Sequence, residues 1–369
     1  NASNPLHLKT HNLSLLDQFR HHMYFPVALY YPINQDINLT SPTDIHRMIS
    51  KRLQLLKQSL SETLARFHQF AGKLNDDNLS VDCKDKGIYF VESRVDSPLN
   101  EFLNQPDLFL INKLLRSEAG IRVAKIQVTT FECSGLIITF KNWAATACKN
   151  TEAAICPNND VSYLFPQNND ATRRFVFDAK AIATLKAKAT SSWVQNPTRA
   201  EAAPAVLCKS IIAAFKAKSS SLKPTLLTHL VNLRRKARPP LSEYSMGKIV
   251  WMANALCTDD EPELDSLVCL LREAIKKIDG DFMKSLQGDG GFLNFCEAMK
   301  DEIEACVIAA NRIKYNSGCN FGFYDTDFGW GKPIWVSGFC LDGTVTKFSN
   351  MAILWIPDWG MGLMDGFSC

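Results

Sequence analysis

Between Ile45 and Phe67 the apolar residues Ile49, Leu53, Leu56, Leu60, Leu64 and Phe67 return every three or four positions, with Lys51, Lys57 and Glu62 between them. That spacing predicts one long amphipathic helix with a single oily stripe, which must be buried against something. Ser41-Pro42 and Asp44 supply its start signals, and Gly72 is a stop just beyond it. Gly135 to Phe140 (GLIITF) is apolar on successive residues, the pattern of a strand buried on both faces.

Shorter runs fill in the organisation. His11 to Gln18 and the segment up to Pro32 read as extended; Leu79 to Cys83 and Ile88 to Glu92 read as strands around a turn at Asp85 to Gly87, and Ile121 to Thr130 as another strand. Asn142 to Ala147 (NWAATA) reads as helix interior, directly after the buried strand, although a strand and its following helix normally need a loop. Further on, helices are predicted over 179–189, 202–217, 264–278 and 294–311. Strands are predicted over 174–177, 226–233, 332–338 and 351–356. Several long helices alternating with strands indicate an α/β protein with two layered sheets. The polar stretch 156–172, within a Pro- and Asn-rich segment, is the expected linker between an N-terminal domain over 1–155 and a C-terminal domain over 173–369.

Charge and composition narrow the function classes. Forty-one Lys and Arg against 38 Asp and Glu leave a net charge of +3, too balanced for a nucleic-acid partner, and the basic run Arg234 to Arg238 reads as a solvated loop. No apolar stretch reaches the roughly 18 residues of a membrane span. Twelve cysteines occur without a CxxC pair, many in apolar surroundings such as Cys269 and Cys306. Buried free thiols in a reducing compartment explain them better than a metal site or a disulfide framework, so the expected location is the cytoplasm. The triplets beginning at Asn38 and Asn78 do not change that reading, and a lost leader before Asn1 stays open.

The most particular motif is Asp327-Phe328-Gly329-Trp330-Gly331. Alone it would be a tight turn with two packed aromatics. The pentapeptide closely resembles the signature of the BAHD family of plant acyl-CoA-dependent acyltransferases, and other segments support this in chain order. Leu13 to Gln18 resembles the family's opening strand, Phe67 with Ala71-Gly72 its F-x-x-x-A-G element, Phe131 to Gly135 its FECGG, and Asn232-Leu233-Arg234 with Pro239-Pro240 and Gly247 its NLR…PP stretch. Details look most like the alkaloid-acylating vinorine synthase branch.

The resemblance implies an α/β fold like that of chloramphenicol acetyltransferase: two similar-sized open-sheet domains flanked by helices, with a central tunnel at their interface. It implies an acyl-CoA such as acetyl-CoA as cosubstrate, no permanently bound cofactor or metal, and a monomer. The acceptor would be a small hydroxylated plant metabolite such as an alkaloid, taken up on its hydroxyl or an amine. No nucleic acid or membrane is implied. It also implies a catalytic histidine in an HxxxD motif, soon after the strand resembling Cys133 to Phe140. This sequence has no such motif: the residues four positions after His7, His11, His21, His22, His46, His68 and His229 are His11, Leu15, Phe25, Pro26, Ser50, Gly72 and Leu233. About sixteen residues are missing between Phe140 and Lys141 by comparison with the family pattern. Either the molecule carries a loop there that this numbering leaves out, the preferred reading because rebuilding the core around a deletion is costly, or the deletion is genuine. In the second case the protein is a catalytically altered or inactive family member, a lyase or a small-molecule binding protein.

Asp327 is then the one charged residue with strong motif support. Its setting argues for architecture over direct proton transfer, with Arg234 as the ion-pair partner the resemblance suggests and Asn232, Phe328, Gly329, Trp330 and Gly331 as structural support. Thr198 and Arg199 resemble a tunnel-lining segment, and on their own residues read as a helix start capped by Thr198. Lys248 could meet a coenzyme phosphate, though an exposed lysine is the plainer reading. Near the C terminus, Gly360 to Gly366 carries methionines where the family pattern has acidic residues, and Cys208 stands where the family often has tryptophan.

Overall fold

The computed structural model describes residues 10–19, 27–33, 41–75, 79–84, 87–104, 123–132, 135–142, 171–218, 224–242, 245, 247–318, 321–338, 351–355 and 362–368. It divides into two compact units, Asn1–Leu164 with Gly322–Lys347 and Phe165–Phe321 with Phe348–Cys369.

The first unit opens with β1 (Thr10–Asn12), α1 (Leu15–Phe19), β2 (Val27–Pro32) and α2 (Pro42–Arg66). It continues through β3 (Lys73–Leu74), β4 (Ser80–Asp82), β5 (Tyr89–Val95), α3 (Leu99–Asn104), β6 (Ala124–Phe131) and β7 (Gly135–Asn142). Strands β1, β4 and β3 form a small sheet; the larger one runs β12–β2–β7–β6–β5, its β12 (Trp335–Gly338) coming from far along the chain. Helix α2 starts where the sequence predicts: Ser41 Oγ accepts the Thr43 N–H and Pro42 takes the first helical turn. Strand β2 reads VALYYP and buries Ala28, Leu29, Tyr30 and Tyr31 almost completely, so both its faces are covered. Ile138 on β7 and Val128 on β6 extend that core.

The second unit comprises β8 (Ala171–Phe177), α4 (Ala179–Lys188), α5 (Arg199–Lys218), β9 (Thr225–Asn232), β10 (Val250–Cys257), α6 (Leu264–Lys276), α7 (Gly280–Ser285), α8 (Gly291–Ile308), β11 (Asn311–Ser317), β13 (Met351–Trp355) and β14 (Gly362–Ser368). Its six strands run β10–β9–β11–β13–β14–β8, parallel at β9–β11–β13 and antiparallel elsewhere. Helix α6 turns Leu264, Leu267, Val268, Leu271 and Ala274 inward. Trp251 on β10 meets Phe282 and Phe295 edge-on, tying α7 and α8 to the sheet. Among the described residues no helix is long and apolar enough to cross a membrane.

Several expectations change. The stretch read as extended over 11–18 contains a helix, because Asp17 accepts both the Ser14 backbone N–H and its hydroxyl and closes a helical turn at Leu15. Asn142, read as helix, is the last residue of β7, which passes through Phe140 and Lys141 without a break; residues 143–147 lie outside the described ones, as does most of the expected linker. Among the described residues, 322–338 group with the first unit, where β12 pairs with β2. Of the described cysteines, Cys83, Cys208 and Cys257 are buried free thiols and Cys296 is exposed.

Gly135, where β7 begins, is required by close approach. A Cβ there would run into Leu99 Cδ2 and stand 2.7 Å from the Tyr31 carbonyl oxygen, and the carbonyl is fixed in the β2 backbone. Gly135→Ala is expected to destabilise the protein by roughly 1–3 kcal/mol, read from urea unfolding midpoints. Gly290→Ala, whose nearest new contact is 3.9 Å away, should stay within about 0.5 kcal/mol. Equal losses at the two positions would refute the contact argument.

Candidate active site

The DFGWG segment folds around its own aspartate. Asp327 Oδ1 accepts the backbone N–H groups of Gly329 (2.7 Å), Trp330 (3.1 Å) and Gly331 (2.9 Å). Bringing three donors to one oxygen needs backbone turns that only glycine takes cheaply, and Gly329 and Gly331 have φ of +94° and +103°. Those bonds, Gly329's foremost, with help from Lys332, hold the Asp327 carboxyl below the usual carboxylate range.

Aromatic contacts seat the turn on β2. Tyr31 meets Phe328 and Trp330 edge-on at 6.0 and 6.2 Å, and its hydroxyl donates to the Thr326 carbonyl at 2.9 Å. Burial, then the Asp327 charge, pushes the Tyr31 hydroxyl well above its ordinary pKa, so it stays a protonated donor. From α2, the Arg52 guanidinium lies over the Trp330 ring, 5.6 Å from its centroid. Tyr31 and Arg52 were missed as site residues. The signal available for Arg52 was a charge set beside Leu53 and one turn from Ile49 and Leu56 on the oily stripe.

Arg234 organises a separate loop in the second unit. Its Nη2 donates to the Ser245 and Gly247 carbonyls at 2.7 and 2.8 Å, its Nε donates to Ser245 as well, and its backbone N–H goes to Asn232 Oδ1. The sequence expectation paired Arg234 with Asp327. Within its own unit each has backbone partners, N–H groups for the carboxylate and carbonyls for the guanidinium.

Thr198 and Arg199 are exposed at the start of α5. The Thr198 backbone N–H donates to Glu201 Oε2 at 2.7 Å, and its carbonyl accepts the Glu201 and Ala202 N–H groups at the helix start. Glu201 also takes a two-pronged bond from Arg272, at 2.7 and 3.0 Å. Burial would raise the Glu201 pKa, but the Arg272 and Thr198 bonds carry it below normal. Lys248 is half-buried beside the Arg234 loop.

Of the histidines, His11, His46, His68 and His229 are described. His229 is in the core of the second unit, stacked on Tyr315 at 4.5 Å with Nδ1 3.1 Å from the Tyr315 carbonyl oxygen, and burial lowers its pKa.

The profile of the Transferase family matches residues 1–142 and 161–364, passing over the stretch just after the Phe140–Lys141 join. An epi-neemfruitin B 7-O-acetyltransferase of Melia azedarach is 56% identical, the alignment covering 96% of this chain and 88% of the relative. A limonoid 7-O-acetyltransferase of Citrus sinensis is 53% identical over 97% and 89% of the two chains. Both alignments, at 398 and 411 positions, are longer than the 369-residue chain, so each relative carries segments absent here. Among solved structures, vinorine synthase superposes with a TM-score of 0.74 at 28% identity, covering 100% of this chain and 92% of that one.

Asp327→Ala removes the acceptor that gathers the turn and should cost roughly 1 kcal/mol, the scale of a lost cap. Because the Asp327 pKa is depressed in the fold, its contribution is full above about pH 4 and disappears as pH falls through the lowered value. The gap between the urea midpoints of the native chain and the variant should therefore close on acidification. A gap that persists unchanged at pH 2 would show that the carboxylate is not what holds the turn.

Proposed function

The chain belongs to the BAHD family of acyl-CoA-dependent acyltransferases, which move an acyl group from a coenzyme A thioester to a hydroxyl of a plant specialised metabolite, and from that membership we propose that it acetylates a limonoid alcohol with acetyl-CoA. The observation that carries the acceptor class is identity above one half, along nearly the whole chain, to a limonoid 7-O-acetyltransferase and an epi-neemfruitin B 7-O-acetyltransferase. An alkaloid acceptor, suggested by the vinorine synthase resemblance, has the weaker support of 28% identity.

In the reaction the acceptor oxygen attacks the thioester carbonyl carbon while a base removes its proton; the tetrahedral oxyanion collapses, the C–S bond breaks, and the coenzyme thiolate leaves and takes a proton. We place the meeting of donor and acceptor in a tunnel between the domains, with Thr198, Arg199 and Lys248 toward the coenzyme. The exposed start of the 20-residue α5 suits a phosphate there. Asp327, with Phe328, Gly329, Trp330 and Gly331, is assigned an architectural part, supported by its three backbone bonds. Arg234 and Asn232 are assigned the same part for the 245–247 loop. Buried free thiols support a cytoplasmic protein.

The base is the point at which this chain departs from its family. Two observations support a gap in this chain relative to its family: no histidine starts an HxxxD motif, and both relatives carry additional segments. The chain therefore keeps the family's scaffold and is slow in transfer. General base catalysis contributes typically about 10²–10⁴-fold, and inserting the corresponding segment of the Melia azedarach relative between Phe140 and Lys141 should raise acetyl transfer by that factor. Coenzyme A release and the acetyl ester, followed by thiol detection and mass spectrometry with a limonoid alcohol, measure it. Equal rates with and without the insert would mean the base lies elsewhere, and no ester from either protein would end the limonoid reading.

A further inference from the structure

The oily stripe of α2 includes one charge. Arg52 is only 6% exposed, and its Nη1 makes a single long bond, 3.4 Å, to the Pro32 carbonyl at the end of β2. Among the described residues no carboxylate stands within ion-pair range of it, and burial lowers its pKa without an opposing charge. A buried guanidinium so placed is costly unless other electron-rich groups face it. The group that does is the π face of Trp330, the tryptophan of the DFGWG turn.

Trp330 in turn lacks the usual polar handle. Its indole N–H is buried and has no acceptor among the described residues, so no hydrogen bond from the ring sets its orientation. What orients the indole is Tyr31 edge-on, Phe328 at 5.4 Å, and the guanidinium over its face. Two of these come from β2 and from the turn itself, and the third comes from α2.

We propose that Arg52 is a positioning residue for the Asp327–Gly331 turn: by its cation–π contact it fixes the Trp330 indole, so that the turn is set from helix α2 as well as from β2. The planar guanidinium matters, since it can lie flat on the indole and stays charged when desolvated, whereas a lysine ammonium is a compact, strongly hydrated point. That the held turn matters to acyl transfer rests on the function proposed above, and the test is chosen to be independent of it.

The full chain is labelled with 5-fluorotryptophan, and the Trp330 resonance among its seven tryptophans is assigned by its loss in Trp330→Phe. Arg52→Met should move that resonance and leave Trp335, which is stacked on Tyr30, in place; Arg52→Lys should move it part of the way. In a double-mutant cycle of Arg52→Met with Trp330→Leu, the two changes should couple by about tenfold or more in the unfolding equilibrium constant, the scale of a desolvated cation–π contact. If Arg52→Met does not fold, Arg52→Lys still supplies the spectral reading. An unmoved Trp330 resonance in a folded Arg52 variant, or a coupling within experimental error of none, overturns the proposal.

Discussion

The pairing of β12 with β2 is the contact on which the rest of the first unit's motif architecture depends. Trp335 to Gly338 lie antiparallel to Val27 to Tyr30, the Trp335 ring stacks on Tyr30 at 4.3 Å, and the Tyr30 and Ser337 hydroxyls bond at 3.0 Å in the core. Just before β12, the Ile334 N–H donates to the Tyr30 carbonyl. Just before the turn, Thr326 accepts from the Tyr31 hydroxyl. Neighbouring residues of a strand point to opposite faces, so Tyr30 and Tyr31 hold the two ends of the 327–333 segment from both sides of the sheet. A segment that follows most of the second unit in sequence thereby becomes part of the first.

Electrostatics inside that segment follow a principle unlike the one its composition suggests. An aspartate and an arginine that both stand in motifs invite an ion pair, but a desolvated ion pair repays its cost only with excellent geometry. Asp327 is exposed, and it is neutralised by three aligned backbone dipoles within four residues. Arg234 uses the mirror arrangement, with carbonyls converging on its guanidinium. The one buried charge in the neighbourhood, Arg52, is balanced by an aromatic face and a carbonyl.

Periodicity made the long elements legible. The stripe from Ile49 to Phe67 marked α2, and Gly135 to Phe140 marked the core of β7, because burial imposes spacing on apolar residues. Strand β10 (VWMANALC) was not read, since its alternation of large and small residues lacks the polar half that signals a strand; β11, which begins where the predicted helix ends, was not read either. The DFGWG residues were legible as a turn, glycines and aspartate together. Their partners were not: Tyr31 and Arg52 lie some 300 positions earlier in the chain, and only the β2–β12 pairing makes them neighbours.

The same reasoning applies to the join after Phe140. A β-ladder accepts almost any residue at its end, since its bonds are made by backbone, so a strand can absorb foreign residues where a helix interface or a packed turn could not. Lys141 and Asn142 continue β7 in register, opposite Lys125 and Ala124. Earlier in the same ladder Leu136 to Ile138 pair with Thr130 to Val128, so Lys141 and Asn142 extend by backbone bonding a register that the core residues set.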